Sequence, residues 1–503
     1  MQIKKILKEY WPIILMMALV AALSVDSFFG KANFDSGEYY DRLVKITWSN
    51  FYKLETLKLC NHITIAYAFI VFVLANIVQD INIAAILLNV ICLVASTPIV
   101  YKLVKRICPG CSNLFAYLCT AIFVFSPFTF GSTGYIYPQT FMFYSTLFFI
   151  YAYLKKNKPL MFVFALLIMF SFETGVFITA ALIFIPCIIA VFKSPKKWEG
   201  IKSQITVFNI CALLAHVAFV VVFFLGNWAT NAVSPETQHL KFGFDPIILP
   251  AIFGVNFLWV SLIIIVLALI KAKGFKDFKA NRELFPFYGV FLTIVLVSTF
   301  AVTFHAPRYY YIATMSVYFC AFYAVHSLMA NLKWKMLYKI APFCVAMVLL
   351  VVQCYYTIDP VMLCNPKKLY TGNPNYITQT KDYRLRNSAA YNKQLRQFDI
   401  AFENVLKKSG YDDETCYISN YDICGGARGN GGSRSVIQRQ HIKVYEVASL
   451  QELAQITEAG EHTHYWYLDY HTGRGATIKG FEALEVHTIN YLGWKITVSK
   501  IAL

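Results

Sequence analysis

Charge is what this chain has least of. Only 15% of its 503 residues are Asp, Glu, Lys or Arg, against about 25% in soluble globular domains. That deficit excludes an ordinary water-soluble enzyme. Nucleotide cradles are missing too: no GxGxxG, Walker loop or nucleotide-sugar DxD sits on a soluble cytoplasmic segment. A small-residue cleavage site is absent after the first apolar run, Trp11–Phe29, which follows Lys4, Lys5 and Lys8. That run therefore reads as a first membrane span with its N-terminus inside, not as a cleaved signal peptide. Cys108-Pro-Gly-Cys111 has neither a second CxxC nor a nearby His in sequence, so a tight turn is favoured over a zinc or redox centre. Most of the thirteen cysteines lie in apolar runs, where thiols act as small hydrophobes. No internal repeat stands out.

What the chain does have is apolar length. Hydrophobic residues make up 58% and aromatics 17%, and several runs reach the roughly 20 residues that cross about 30 Å of hydrocarbon. Spans are expected near 10–29, 81–101, 113–130, 137–154, 159–172, 175–192, 205–227, 248–270, 286–304, 309–329 and 340–357. Alternating them puts Lys102/Lys105/Arg106, Lys155/Lys156/Lys158, Lys193/Lys196/Lys197, Lys271/Lys273/Lys276 and Lys333/Lys335/Lys339 on one side with the N-terminus. That is the positive-inside rule, and it accounts for the formal charge of +17 without nucleic acid. The arrangement requires that His62–Val78, though apolar, lies in or dips into the outer interface instead of crossing. The fold class is then an α-helical polytopic membrane protein of about eleven spans, C-terminus outside.

Polar chemistry collects on the face opposite the basic loops. The outer segments are 30–80, 131–136, 173–174, 228–247, 304–308 and the tail from about 358, and they hold Asp35, Glu38, His62, Glu173, Glu236, His239, His305 and Arg308. Residues 36–51 place Tyr39, Tyr40, Leu43, Val44 and Phe51 near one side at helical spacing, as a surface amphipathic helix does. Glu173 interrupts an apolar stretch from Leu160 to Phe192. A charge deep in lipid costs a few kcal/mol, so it must sit at a turn or face a wet cavity.

The order of these features resembles the GT-C class of membrane glycosyltransferases, in particular the protein O-mannosyltransferase and aminoarabinose transferase superfamily. Four features carry the resemblance over about residues 10–330. They are the acidic motif Asp35-x-x-Glu38-Tyr39, and the cluster Cys60-Asn61-His62 ahead of a span ending in Tyr101-Lys-Leu-Val-Lys-Arg106. The third is the polar break Ser171-Phe-Glu173-Thr-Gly175, and the fourth is Pro307-Arg308-Tyr309 at the outer start of a late span. Many relatives have adjacent Asp-Glu where Ser36 and Gly37 separate the acids here, and a Lys where Glu173 and Asn61/His62 stand here.

The resemblance implies a donor made of a sugar on a polyprenyl phosphate, and a glycan, lipid or protein acceptor. It implies that Asp35 is the general base or helps hold a divalent metal (Mg or Mn), with Glu38 beside it. The plain alternative for Asp35 is a helix N-cap in a capping-box spacing with Glu38. Arg308, with Tyr309 and His62, is implied to bind the lipid phosphate; the alternative for Arg308 is snorkelling in an aromatic belt. Glu173, His239, Lys241 and His305 are cavity candidates. The implied activity is hexosyl or pentosyl transfer at the outer face of a bacterial inner membrane.

Residues 358–503 read as a soluble extracytoplasmic α/β domain following the transmembrane catalytic domain, 1–357, whose outer loop 30–80 carries surface helices. A helix is expected near 388–408, a strand from Cys416, a helix opened by the capping box Ser449-x-x-Glu452, and strands at His464–Tyr470 and Lys495–Ala502. Gly425–Gly432 lacks the GK[ST] of a phosphate loop. Cys416 and Cys424 could pair in an oxidising compartment. The rival functions are a lipid or glycan transporter or flippase, which calls for paired halves with broken helices, and an outward-acting glycan polymerase, which calls for Arg-rich outer loops. Loop 228–247 contains no Arg.

Overall fold

The computed structural model describes residues 2–28, 39–126, 129–225, 248–253, 258–271, 278–301, 310–331, 415–419, 444–446, 449–458, 464–470 and 479–501. Scattered positions inside these ranges are excepted, and a few isolated residues beyond them are included. Apolar runs became helices in order. The first are α1 (Gln2–Leu23) and α2 (Val25–Phe28). A short hairpin, β1 (Lys58–Leu59) and β2 (His62–Ile63), leads into α3 (Ile65–Val78), α4 (Ile81–Ile107), α5 (Asn113–Val124) and α6 (Pro138–Leu154). Then come α7 (Lys158–Met169), α8 (Thr174–Lys193), α9 (Lys197–Gln204), α10 (Val207–Leu225), α11 (Ile248–Phe253), α12 (Leu258–Lys271), α13 (Phe285–Ala301) and α14 (Tyr311–Asn331).

Helix occupies each of the first ten stretches expected to span. Among the described residues, five segments are long and apolar enough to cross a membrane by themselves: 81–107, 174–193, 207–225, 282–299 and 311–330. The last expected span, 340–357, lies outside the described residues apart from Cys344 and Val348. At 14 residues α3 is about 21 Å long, and α5 and α7, with 12 residues each, are shorter still.

Local chemistry marks the helix ends. Asp80 caps α4, accepting from the Ile83 amide at 2.9 Å. At its far end Cys108 closes the helix and Cys111 N–H bonds back to Cys108 O at 3.1 Å. Gly110 there has φ +78°, the left-handed value a type II turn needs at its third residue. The CxxC motif is thus a turn with both thiols free and buried. Nearby, Arg106 makes a two-pronged bond to Glu283 at 2.6 and 3.0 Å, and Asn281 Nδ2 donates to Ile107 O at 2.9 Å. The start of α13 is thereby fastened to the basic end of α4.

Burial separates centre from periphery. The apolar window of α14 is 83% buried and that of α4 61%, while α8 is 28% and α10 only 17% buried. Helices α4 and α14 form the packed centre with α6; α8 and α10 turn Phe177, Ile185, Ile188, Leu213, Leu214 and Phe224 outward. Outward apolar faces of this kind belong against lipid tails.

The expected surface helix over 36–51 is not continuous. Helical turns at Tyr39–Tyr40 and Arg42–Leu43 end there, and turns follow. Side chains break the helix: Asn50 Oδ1 accepts from Thr47 N at 2.7 Å and Asn50 Nδ2 donates to Lys45 O at 2.9 Å, offering the backbone other partners. The segment still packs on α3, with Trp48 and Phe51 against Phe72 at 4.8 and 6.0 Å.

After Asn331 the described residues form a five-stranded mixed sheet in the order β4-β3-β5-β7-β6. Its strands are β3 (Thr415–Ser419), β4 (Val444–Glu446), β5 (His464–Tyr470), β6 (Ala483–Tyr491) and β7 (Trp494–Ile501). Strand β3 runs parallel to β4 and β5; β7 runs antiparallel to β5 and β6. The Ser449 half of the expected capping box forms, with Glu452 N donating to Ser449 Oγ at 3.2 Å. The helix it opens, α15 (Leu450–Glu458), lays Leu453 on Tyr465, Tyr467 and Ile501. The expected helix near 388–408, apart from Asn404, and the run Gly425–Gly432 lie outside the described residues, as does Cys424.

Candidate active site

Two residues that the sequence analysis singled out meet although 111 positions apart. His62 Nδ1 lies 3.2 Å from Glu173 Oε1, and the same oxygen accepts the Ile63 amide at 2.8 Å. A carboxylate only accepts, so Nδ1 carries the proton of this bond. The His62 ring also rests on Phe172, with centroids 4.6 Å apart. His62 and Glu173 are 31% and 23% exposed, so the pair is half-buried yet reachable.

The surroundings explain how a charge is tolerated there. Glu173 sits in the turn between α7 and α8. Helix α7 has 12 residues, about 18 Å, and the turn that carries Glu173 follows directly. Gly175 makes the turn possible, because a Cβ at this position would stand 2.1 Å from Ile168 O. Phe170 O accepts from Ala66 N at 2.8 Å, which docks the start of α3 on the turn. On the hairpin side Thr64 Oγ1 donates to Leu57 O at 3.0 Å and accepts from Leu59 N at 3.1 Å. Thr64 thereby locks the strand pairing of Leu59 with His62. Thr64 and Phe172 carry no charge and drew no notice in the sequence.

The N-terminal turns of α6 gather the rest. Tyr39, next to the acidic motif, meets Tyr137 edge to face at 6.2 Å. Tyr67, one turn into α3, lies 6.2 Å from Phe141, and Thr174 Oγ1 donates to Met142 Sδ at 3.8 Å. Tyr311, at the start of α14, stacks on Phe143 at 4.2 Å. Residues in or close to all four sequence motifs therefore touch one stretch, 137–143, about 9 Å long. Asp35, Glu38, His239, Lys241, His305, Arg308 and Tyr309 themselves lie outside the described residues, and so does Asn61. No group of three or more metal-ligating side chains occurs among the described residues.

Comparison with known proteins places this geometry in a fold. The chain superposes on ArnT from Cupriavidus metallidurans bound to undecaprenyl phosphate with a TM-score of 0.56, over 97% of this chain and 98% of that one. It has the GT-C fold. Identity over the match is only 10%; the apo form of the same ArnT gives a TM-score of 0.55 at 9% identity, covering 97% of each chain. An oligosaccharyltransferase from Archaeoglobus fulgidus matches more weakly, with a TM-score of 0.44 at 12% identity, covering 91% of this chain and 69% of that one. No protein-family model matches the sequence, and no curated protein matches it significantly. The likeness is thus one of fold, carried by a nearly unrelated sequence.

Proposed function

We propose that this chain is a membrane glycosyltransferase that moves a sugar from a polyprenyl-phosphate carrier to an acceptor at the extracytoplasmic face. The observation that carries the reading is the convergence at 137–143. Tyr39, Tyr67, Thr174 and Tyr311 flank the acidic motif, the hairpin, the polar break and the Arg308 segment, and all four touch this stretch. The GT-C fold shared with a protein solved with undecaprenyl phosphate supports the donor class.

In this reading Asp35 takes the proton of the acceptor hydroxyl as its oxygen attacks the anomeric carbon. The bond from that carbon to the phosphate oxygen breaks, its electron pair leaving with the polyprenyl phosphate. Arg308, assisted by Tyr309, grips the phosphate through charge-assisted bonds. His62 occupies the place where relatives use a lysine: Glu173 holds its Nδ1 edge, and Nε2 donates to a phosphate oxygen when the ring carries a proton on both nitrogens. His239, Lys241 and His305 are assigned in this proposal to contacts with donor or acceptor. The domain division at about residue 357, the eleven-span topology with N-terminus inside, and residence in a bacterial inner membrane belong to the same proposal. So do the hexosyl or pentosyl specificity and a divalent metal near Asp35.

The test is transfer by purified protein supplied with polyprenyl-phosphate sugars. Asp35→Asn keeps the shape and caps a helix about as well, but removes the base. Transfer should fall by roughly 10²–10⁴-fold with folding intact, and Glu38→Gln should cost much less. Near wild-type transfer by folded Asp35→Asn protein would reduce the motif to a helix cap.

A further inference from the structure

Helix α9 joins the two most lipid-facing spans, α8 and α10, at the end that carries Lys155, Lys156 and Lys158. The sequence Lys193-Ser-Pro-Lys-Lys-Trp-Glu-Gly-Ile-Lys-Ser-Gln204 holds four lysines against one glutamate. The structure turns it into a built shelf. Gly200 is buried against α8, where a Cβ would stand 2.8 Å from Ser194 Cβ and 3.2 Å from Val191 Cα. Lys197 Nζ donates to Phe192 O and, at 3.0 Å, to Ser194 O, neutralising the carbonyl end of α8. Asn209 Nδ2 donates to Gln204 O at 2.7 Å and contacts Cys187 Sγ at 3.4 Å, tying the far end of α9 to α10 and α8.

The face opposite Gly200 is apolar and uncovered. Trp198 is 65% exposed, Ile201 41% and Ile205 61%, at spacings of three and four residues that share one helix face. They continue into Phe192 and Val207, exposed by 72% and 79%. Lysines border this stripe on both sides: at about 100° per residue, Lys202 and Lys197 lie to either flank. Lys202 Nζ stands 5.6 Å from the Trp198 ring, and Lys196 pairs with Glu199 at 3.0 Å. An exposed aromatic–aliphatic stripe bordered by lysines, on a short helix packed against span ends, matches the interfacial helices of membrane-surface proteins.

We infer that α9 is a binding site for anionic phospholipid headgroups. Trp198, Ile201 and Ile205 enter the acyl boundary, and Lys193 and Lys202 hold the phosphate. The excess of lysine over glutamate selects an anionic headgroup over a zwitterionic one, because positive charges near the surface are drawn to anionic lipid. The site lies outside the proposed sugar-transfer machinery, so its test reads lipid binding and is independent of whether the chain transfers sugars.

The experiment uses the full chain in nanodiscs of phosphatidylcholine with increasing phosphatidylglycerol. Trp198 emission is isolated as the difference between wild type and Trp198→Phe, and brominated versions of each lipid are the quenchers. At equal mole fraction, brominated phosphatidylglycerol should quench Trp198 more strongly than brominated phosphatidylcholine. The double variant Lys193→Gln/Lys202→Gln should raise the phosphatidylglycerol fraction for half-maximal quenching on the order of tenfold, while Lys202→Arg restores most of the loss. Lys197 is left intact because it caps α8. Equal quenching by the two lipids, no quenching by either, or an unchanged midpoint in the double variant would overturn the inference.

Discussion

Replacing Glu173 by alanine dissects the junction on which the candidate site rests. Oε1 is the shared acceptor for Ile63 N and His62 Nδ1, and Ile63 is fully buried. Alanine removes the acceptor of the Ile63 amide, at about 1–3 kcal/mol for a buried donor left unsatisfied. It also removes the His62 contact, which at this partial exposure adds about 0–1 kcal/mol. Glu173→Ala should therefore destabilise by about 1–4 kcal/mol. Glu173→Gln keeps a carbonyl for Ile63 N and should lose about 1 kcal/mol or less. Thermal unfolding of detergent-solubilised protein should show Tm falling in the order wild type, Gln, Ala, by a few degrees at most steps. His62 released from its Glu173 contact should react faster with an acylating reagent in Glu173→Ala. Wild-type Tm and His62 reactivity in Glu173→Ala would refute the anchoring role and leave Glu173 as a solvated turn residue.

Further outcomes follow from neighbouring geometry. Gly175→Ala forces a methyl to within 2.1 Å of Ile168 O, so the turn must open; a loss of about 3 kcal/mol and poor folded yield are expected, and a stable, active Gly175→Ala protein would contradict the close crossing. If Arg308 grips phosphate, Arg308→Lys should weaken binding of a polyprenyl-phosphate analogue, because Lys cannot make the planar two-pronged contact; binding indifferent to Arg308→Ala would remove the residue from the site. Burial pushes the thiols of Cys108 and Cys111 up, with Lys105 pulling Cys111 partly back. A raised pKa means less thiolate at any given pH, so native alkylation of both should be slow at neutral pH and accelerate in alkali; fast labelling at neutral pH would contradict this. For topology, a reporter after Arg106 should read inside and one after Tyr356 outside; the reverse at Arg106 would make 62–78 a true span.

Much of this was legible in the chain, for physical reasons that differ by element. Lipid-facing and core helices were visible because an apolar run has few other uses at that length. Glu173 was visible because a carboxylate in a 33-residue apolar stretch demands a turn or a partner, and the structure supplies both. Its pairing with His62 was not readable, since nothing in either local sequence encodes a contact over 111 positions. Thr64 and the 137–143 stretch went unnoticed for a simpler reason: Thr and buried aromatics are ordinary in such helices, and only packing shows them to be a hub. The helix expected over 36–51 failed because Asn50 offered the backbone competing bonds. Strand β6 was missed because Glu485, His487 and Asn490 interrupt its apolar pattern, as suits a strand that among the described residues pairs only with β7.

The most direct test of the central claim is a cryo-EM map of the full chain with a polyprenyl phosphate. The account predicts a lipid head at the His62–Glu173 end of the bundle, its phosphate within hydrogen-bond reach of His62 Nε2 and lying between Asp35 and Arg308. A phosphate bound instead at the Arg106–Glu283 end, or none bound at saturating lipid, would contradict it.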